Sequence, residues 1–347
     1  MQEIKDLLYE ELKEILERKG FPPYRAGQIF KWIYKKFVTD FKGMTDIKKD
    51  EREYLEKNFE NYIPNVYEKV QSGDGTTKYA LLLKDKKVIE SVLIPDGKRL
   101  TLCVSTQVGC PLGCKFCKTG SIGFIRNLST SEILSQIIAI SKDSGFRPTN
   151  IVFMGMGEPL LNLKNLVRAI KIIVSEEGMN FSPRKVTVST AGIPHLIEEL
   201  GKSVRVSLSV SLNAPDNEIR SKIMPINDKY PIEEIMSAIE RYPHPPKSLF
   251  TIEYVMIKGV NSSINHAKKL ASLLKKSKRR FKVNLINFNP YEGCEFEPVD
   301  DEIFKFQEEL LKNSISTTIR KRKGADINAA CGQLGGTASL YLKTQEV

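Results

Sequence analysis

Long apolar runs are absent from this sequence, and no stretch reaches the roughly eighteen residues that cross a bilayer. Cysteine is sparse as well: six in 347 residues cannot build the disulfide framework of a secreted scaffold. The opening MQEIKDLLYEELKEILERKG has neither an apolar targeting segment nor a cleavage site; it is acidic and amphipathic. With 41% apolar and 27% charged residues, the chain is no disordered tail and no collagen-like repeat. These absences leave a globular protein with a real core. It is expected in the cytoplasm, where thiols stay reduced and available as ligands or nucleophiles. Positive charge is in excess, 53 Lys and Arg against 42 Asp and Glu, a net +11. Such an excess leaves open a polyanionic partner, RNA or DNA before a membrane.

Residues 1–60 read as a small helical domain. Ile4, Leu7, Leu8, Leu12, Ile15 and Leu16 recur at helical spacing before Gly20, and further helices are expected over Tyr24 to Phe37 and Lys48 to Phe59. The middle one sets Arg25, Lys31, Lys35 and Lys36 beside Trp32 and Tyr34, a face for solvent or for an accessory RNA contact. Residues 61–98, with two turn clusters in SGDGTTKYALLLKDKKVIESVLIPDG, read as a small antiparallel β linker. From 99 to 320 six strand-like runs follow: RLTLCVS, TNIVFMG, KVTVST, VRVSLSVS, FTIEYVMI and FKVNLINF. Helical patterns alternate with them, among them Ser131–Lys142, Leu163–Ser175 and Asn265–Lys276, the first entered through a capping-box Ser129-x-x-Glu132. This alternation predicts an α/β fold with parallel strands. The length suits a partial (β/α)6 barrel, with a doubly wound open sheet as the alternative. Either fold gathers ligands at the C-terminal ends of its strands. Residues 321–347 form a C-terminal segment.

Four of the six cysteines, Cys103, Cys110, Cys114 and Cys117, cluster after the first barrel strand. Cys110-Pro-Leu-Gly-Cys114-Lys-Phe-Cys117 places three thiols at CxxxCxxC spacing in one loop. A structural zinc site wants four closed ligands; here Cys103 lies inside the strand and no His is near. Three ligands leave one iron of a [4Fe–4S] cluster open to a substrate, the arrangement that cluster-based radical chemistry with S-adenosylmethionine requires.

CPLGCKFC resembles the signature of the radical S-adenosylmethionine superfamily, and MGMGEP at Met154–Pro159 resembles its GGEP motif. In that role the backbone around Gly157 and the Glu158 carboxylate would bind the methionine amino group. A narrower resemblance covers nearly the whole chain. TLCVSTQVGC, GFIRNLS, MGMGEPLLN, KIMPINDKYP, RKGADINAACGQL and the N-terminal PPYRAGQIFKWIY are similar to segments of the RlmN family of dual-specificity RNA adenine methyltransferases. It implies methylation of adenine C2 at one adenosine of the 23S rRNA peptidyl-transferase centre and at adenosine 37 of some tRNAs. The partners implied are therefore 23S rRNA, tRNA and an electron donor such as flavodoxin or ferredoxin. The enzyme would act as a monomer without membrane contact.

C2 of adenine is an unactivated aromatic carbon with no lone pair for a methyl electrophile, so a radical route is the physical answer. By the same resemblance, Cys331 in Ala-Ala-Cys-Gly-Gln first takes the methyl group from one S-adenosylmethionine, and a 5′-deoxyadenosyl radical from another then takes hydrogen from that S-methyl group, so each turnover uses two. Cys103 removes the C2 proton and resolves the RNA adduct as a disulfide with Cys331; Glu90 matches the family's proposed proton acceptor, and either could do that work. Without the motif, Cys103 and Cys331 would pass as small buried residues and Glu90 as a solvated one. Ser189, Ser211, Leu212, Asn213 and Asn289, all at strand ends, match S-adenosylmethionine contacts. Asn213 stands where the family usually has His, so any role needing imidazole is in doubt. His195, His244 and His266 read as loop residues and Cys294 as a bystander. Two basic runs, Lys275–Lys282 and Arg320–Lys323, are candidates for RNA phosphate, the second favoured by its closeness to Cys331. Two rivals stand beside this reading: a Cfr-type adenine-C8 methyltransferase conferring antibiotic resistance, and a non-enzymatic basic RNA-binding factor with a structural metal.

Overall fold

A computed structural model describes residues 1–243, 249–338 and 341. Its centre is a ten-stranded sheet whose spatial order repeats chain order, each strand lying beside its sequence neighbours. The strands are β1 (Asn65–Gln71), β2 (Thr77–Leu82), β3 (Val88–Asp96), β4 (Arg99–Cys103), β5 (Asn150–Phe153), β6 (Val186–Thr190), β7 (Ser207–Ser211), β8 (Phe250–Met256), β9 (Phe281–Asn287) and β10 (Ser316–Ile319). β1 to β4 pair antiparallel and β4 to β10 parallel. The six expected parallel strands are present, and β10 adds a seventh. Residues 61–98 form no separate bridge, because β3 pairs directly with β4 and extends the barrel sheet by three antiparallel strands. The sheet does not close: β1 and β10 are its edges.

Crossover helices cover the outer face. Thr130–Ser144 starts at the expected cap, with the Ser129 hydroxyl accepting from Glu132 N at 3.1 Å. Leu163–Val174 and Ile264–Lys275 follow the apolar spacing. Strand alternation then sorts the side chains. On β8, Phe250, Ile252, Tyr254 and Met256 are fully buried against helices, and Glu253 and Val255 face the lumen. His195 and His266 lie in the first turns of helices, not in loops; His244 falls outside the described residues.

Helices Tyr9–Arg18, Arg25–Tyr34 and Lys49–Asn58 make the N-terminal unit, packed through Leu12, Leu16, Ile29, Phe30 and Leu55. It is fastened to the barrel where Ser131 Oγ donates to Glu3 at 2.6 Å and Arg168 Nη1 to Glu11 at 2.9 Å. No helix among the described residues is long and apolar enough to cross a membrane.

Candidate active site

The thiol loop leaves β4 through a short strand, Gln107–Gly109. Gly109 has φ +74°, and a Cβ there would sit 1.9 Å from the Gly123 carbonyl oxygen, so only glycine lets the loop turn. Cys110 N then donates to that same carbonyl at 2.9 Å, Lys115 N to Ile223 O at 3.0 Å and Cys117 N to Cys114 O at 3.1 Å. Cys110, Cys114 and Cys117 all line one cavity of about 170 Å³ at the C-terminal ends of the parallel strands. Burial pushes all three thiols up, Cys110 to about 12, and their mutual proximity adds to it. Left to themselves these groups stay protonated, and a cationic iron centre is what would displace the protons. Three thiolates facing one space would suit a cluster that offers each its own iron.

MGMGEP forms the opposite wall. Gly157 has φ +100°, and a Cβ there would meet Gln107 Cβ at 2.5 Å; Glu158 N donates to Gln107 Oε1 at 2.8 Å. The Glu158 carboxylate lies in the cavity and accepts from Ala191 N at 2.8 Å and Leu160 N at 3.1 Å, while burial raises its pKa. Ser189 and Ser211 line the same cavity with hydroxyls 3.5 Å apart. Leu212 does not join them. Alternation turns its fully buried side chain the other way, and its carbonyl accepts from Arg220 Nε at 3.1 Å. Asn213 reaches the cavity at φ +59°, a conformation Asn tolerates, but its Oδ1 already accepts from Val255 N at 2.8 Å. Asn289 lies on a different space. Its Nδ2 donates to the Cys331 carbonyl at 3.0 Å and its Oδ1 accepts from Arg322 Nε at 2.7 Å.

That different space is a second cavity of about 80 Å³, lined by Cys103, Asn289, Lys321, Arg322, Lys323 and Cys331 among others. Cys331 also lines the first cavity, together with Met154, Ile286 and Arg320. The carrier candidate therefore stands where the thiol-lined space meets the basic one. Cys103 is buried beside it, its thiol pushed up to about 12 by burial first and by Cys331 second. Sequence reasoning read Arg320 only as part of a phosphate-facing run and missed Glu253 altogether. Arg320 is held charged chiefly by Cys331, against the opposing effect of burial, with Nη1 3.9 Å from the Met154 sulfur. Glu253 faces the first cavity with Oε2 lacking a hydrogen-bond partner among the described residues, and burial raises its pKa. A carboxylate placed mid-strand in FTIEYVMI was the signal for it.

Glu90 comes to neither cavity. It is fully buried within β3, and its carboxylate is occupied by backbone amides of the C-terminal segment. Cys294 is no distant bystander: its Sγ contacts the Lys115 carbonyl, 3.7 Å away, in the thiol loop. The basic runs separate. Lys275–Lys282 runs from the end of a helix into the first residues of β9 and so lies at the N-terminal ends of the strands, while Arg320–Lys323 enters the second cavity.

Comparison with known proteins agrees with this geometry. The family described as the radical SAM superfamily matches residues 104–274, and the ribosomal RNA large subunit methyltransferase N-terminal domain matches residues 2–60. The dual-specificity RNA methyltransferase RlmN of Geotalea uraniireducens is 49% identical over 98% of this chain and 98% of its own. A probable RlmN of Aquifex aeolicus is 44% identical over 96% of this chain and 97% of its own. The crystal structure of a radical SAM methyltransferase from Sphaerobacter thermophilus superposes with a TM-score of 0.90 at 40% identity, covering 96% of this chain and 99% of that one.

Proposed function

Because the chain belongs to the RlmN family of radical S-adenosylmethionine enzymes, we propose that it methylates C2 of adenine in 23S rRNA and tRNA, with Cys331 as methyl carrier. The observation that carries this reading is the position of Cys331 on both cavities. Cys110, Cys114 and Cys117 would hold a [4Fe–4S] cluster, and Gly157, Glu158, Ser189, Ser211 and Asn213 would surround S-adenosylmethionine. Bound together, these groups supply one electron and a 5′-deoxyadenosyl radical.

The chain's own residues do the rest. Cys331 accepts a methyl group from one S-adenosylmethionine, gives up a hydrogen atom from that S-methyl group, and links through its carbon to adenine C2. Cys103 takes the C2 proton as thiolate, and the adduct's unpaired electron would return to the cluster. The Cys103 sulfur then bonds to the Cys331 sulfur as its proton passes to the methylene carbon, releasing methylated RNA and leaving a disulfide that an external reductant returns to two thiols. Arg320, close to both sulfurs, works against the burial that keeps the Cys103 thiol protonated. Lys321, Arg322 and Lys323 at the second cavity offer phosphate contacts to an adenosine turned out of its stack.

The test is intact mass and peptide mapping of cluster-loaded protein before and after S-adenosylmethionine, with nucleoside analysis of digested rRNA and tRNA. Methyl on Cys331 and C2-methyladenosine are expected. C8-methyladenosine would replace the proposed regiochemistry, and turnover by Cys331→Ala would overturn the carrier role.

A further inference from the structure

The segment that carries Cys331 is tied down on two sides. Toward the barrel, Lys118 N donates to Gly332 O at 2.7 Å and Thr119 Oγ1 to Leu334 O at 2.7 Å. Toward the antiparallel extension, Gly324 N donates to Asp74 Oδ2 at 3.0 Å, Ser72 Oγ to Asp326 at 2.6 Å and Thr337 Oγ1 to Glu68 at 2.8 Å. The most buried of these ties is Glu90, whose residue is inaccessible to solvent. Its Oε2 accepts from Gly335 N at 2.9 Å, and its Oε1 accepts from Thr337 N at 2.8 Å and Ala338 N at 3.2 Å.

A buried carboxylate filled by three amides has a structural task that competes with proton transfer. Moving it to substrate would leave those buried N–H groups unpartnered. It would also have to cross to a cavity that it does not line. Resting on the reading of Cys331 as carrier, we infer that Glu90 is a positioning residue: its carboxylate anchors residues 335–338 to β3 and thereby sets the Cys331 thiol at the junction of the two cavities. Removal of the C2 proton then belongs to Cys103. The two roles separate in time, because loading of methyl onto Cys331 precedes RNA and involves no C2 proton.

Full-length, cluster-loaded protein isolated without its Cys331 methyl group tests this. Wild type, Glu90→Gln, Glu90→Asp, Thr337→Pro, Thr337→Val and Cys103→Ala are incubated with S-adenosylmethionine, then with RNA. Three readouts are taken per cluster: Cys331 methylation by peptide mapping, amide exchange over 331–338, and covalent protein–RNA adduct on denaturing gels. Loss of charge-assisted bonds at Glu90→Gln is expected to slow Cys331 methylation and speed exchange by about tenfold or more, without adduct. Glu90→Asp should recover part of both. Thr337→Pro removes the N–H that Glu90 accepts, while Thr337→Val removes only the hydroxyl bond to Glu68. With Glu90 itself intact, the proline variant should shift both readouts in the same direction and further than the valine variant, even if Glu90→Gln fails to fold. Cys331 methylation at the wild-type rate in the Glu90 variants overturns the inference, and adduct accumulating there as in Cys103→Ala would make Glu90 the proton acceptor. An unmethylated Cys331 in wild type would defeat the carrier reading itself.

Discussion

Two cavities meet at Cys331 and differ in almost everything else. One is walled by three thiols, a glycine turn and small hydroxyls; the other by Cys103 and a basic stretch. On the proposed function the difference becomes a division of labour, with radical generation and methyl loading on one side and RNA binding and resolution on the other, and a single cysteine has to lie on both.

The largest effect should come from the first side. Cys114→Ala is expected to abolish S-adenosylmethionine cleavage and Cys331 methylation together, read as iron content and released 5′-deoxyadenosine. Cys103→Ala should break only the second side, keeping Cys331 methylated while protein–RNA adduct accumulates; loss of methylation there would erase the division. Arg322→Ala should weaken RNA binding by a few-fold to about tenfold and lower the salt slope by about one, measured by titration at several salt concentrations. Lys276→Ala, at the far end of the strands, should leave that binding unchanged. The smallest change is one of stability. Alanine at Gly157 meets both its φ of +100° and Gln107 Cβ at 2.5 Å, a strain of about 1–3 kcal/mol that thermal unfolding would register.

Much of this plan is legible in the chain because the parallel strands are short apolar runs separated by amphipathic helices. β10 was not, since Ser316-Thr317-Thr318-Ile319 is brief and polar. Its Thr318 lies exposed on the side where the sheet stays open, and the Thr318 hydroxyl donates to Asn284 at 2.7 Å. Spacing located the thiol loop, and resemblance to a family motif the Gly157–Glu158 turn; the geometry of both is local. Strand-end position alone does not say which face or which cavity a side chain meets: Leu212 turns its side chain into the core and Asn289 lines the second cavity. Arg320 was hidden within a basic run, although its neighbours in space are sulfur and not solvent.

The match between sheet order and chain order carries a consequence for timing. Each strand can pair as soon as its predecessor has, so the thiol loop and its barrel wall can assemble while the chain is still growing. The bonds that seat Cys331 cannot: Thr119 to Leu334 and Glu90 to Ala338 join residues 215 and 248 positions apart. On the proposed function, Cys331 is then the last of the functional groups that the growing chain can seat, and the cavity lined by Cys110, Cys114 and Cys117 can take up a cluster before the bonds at Leu334 and Ala338 form.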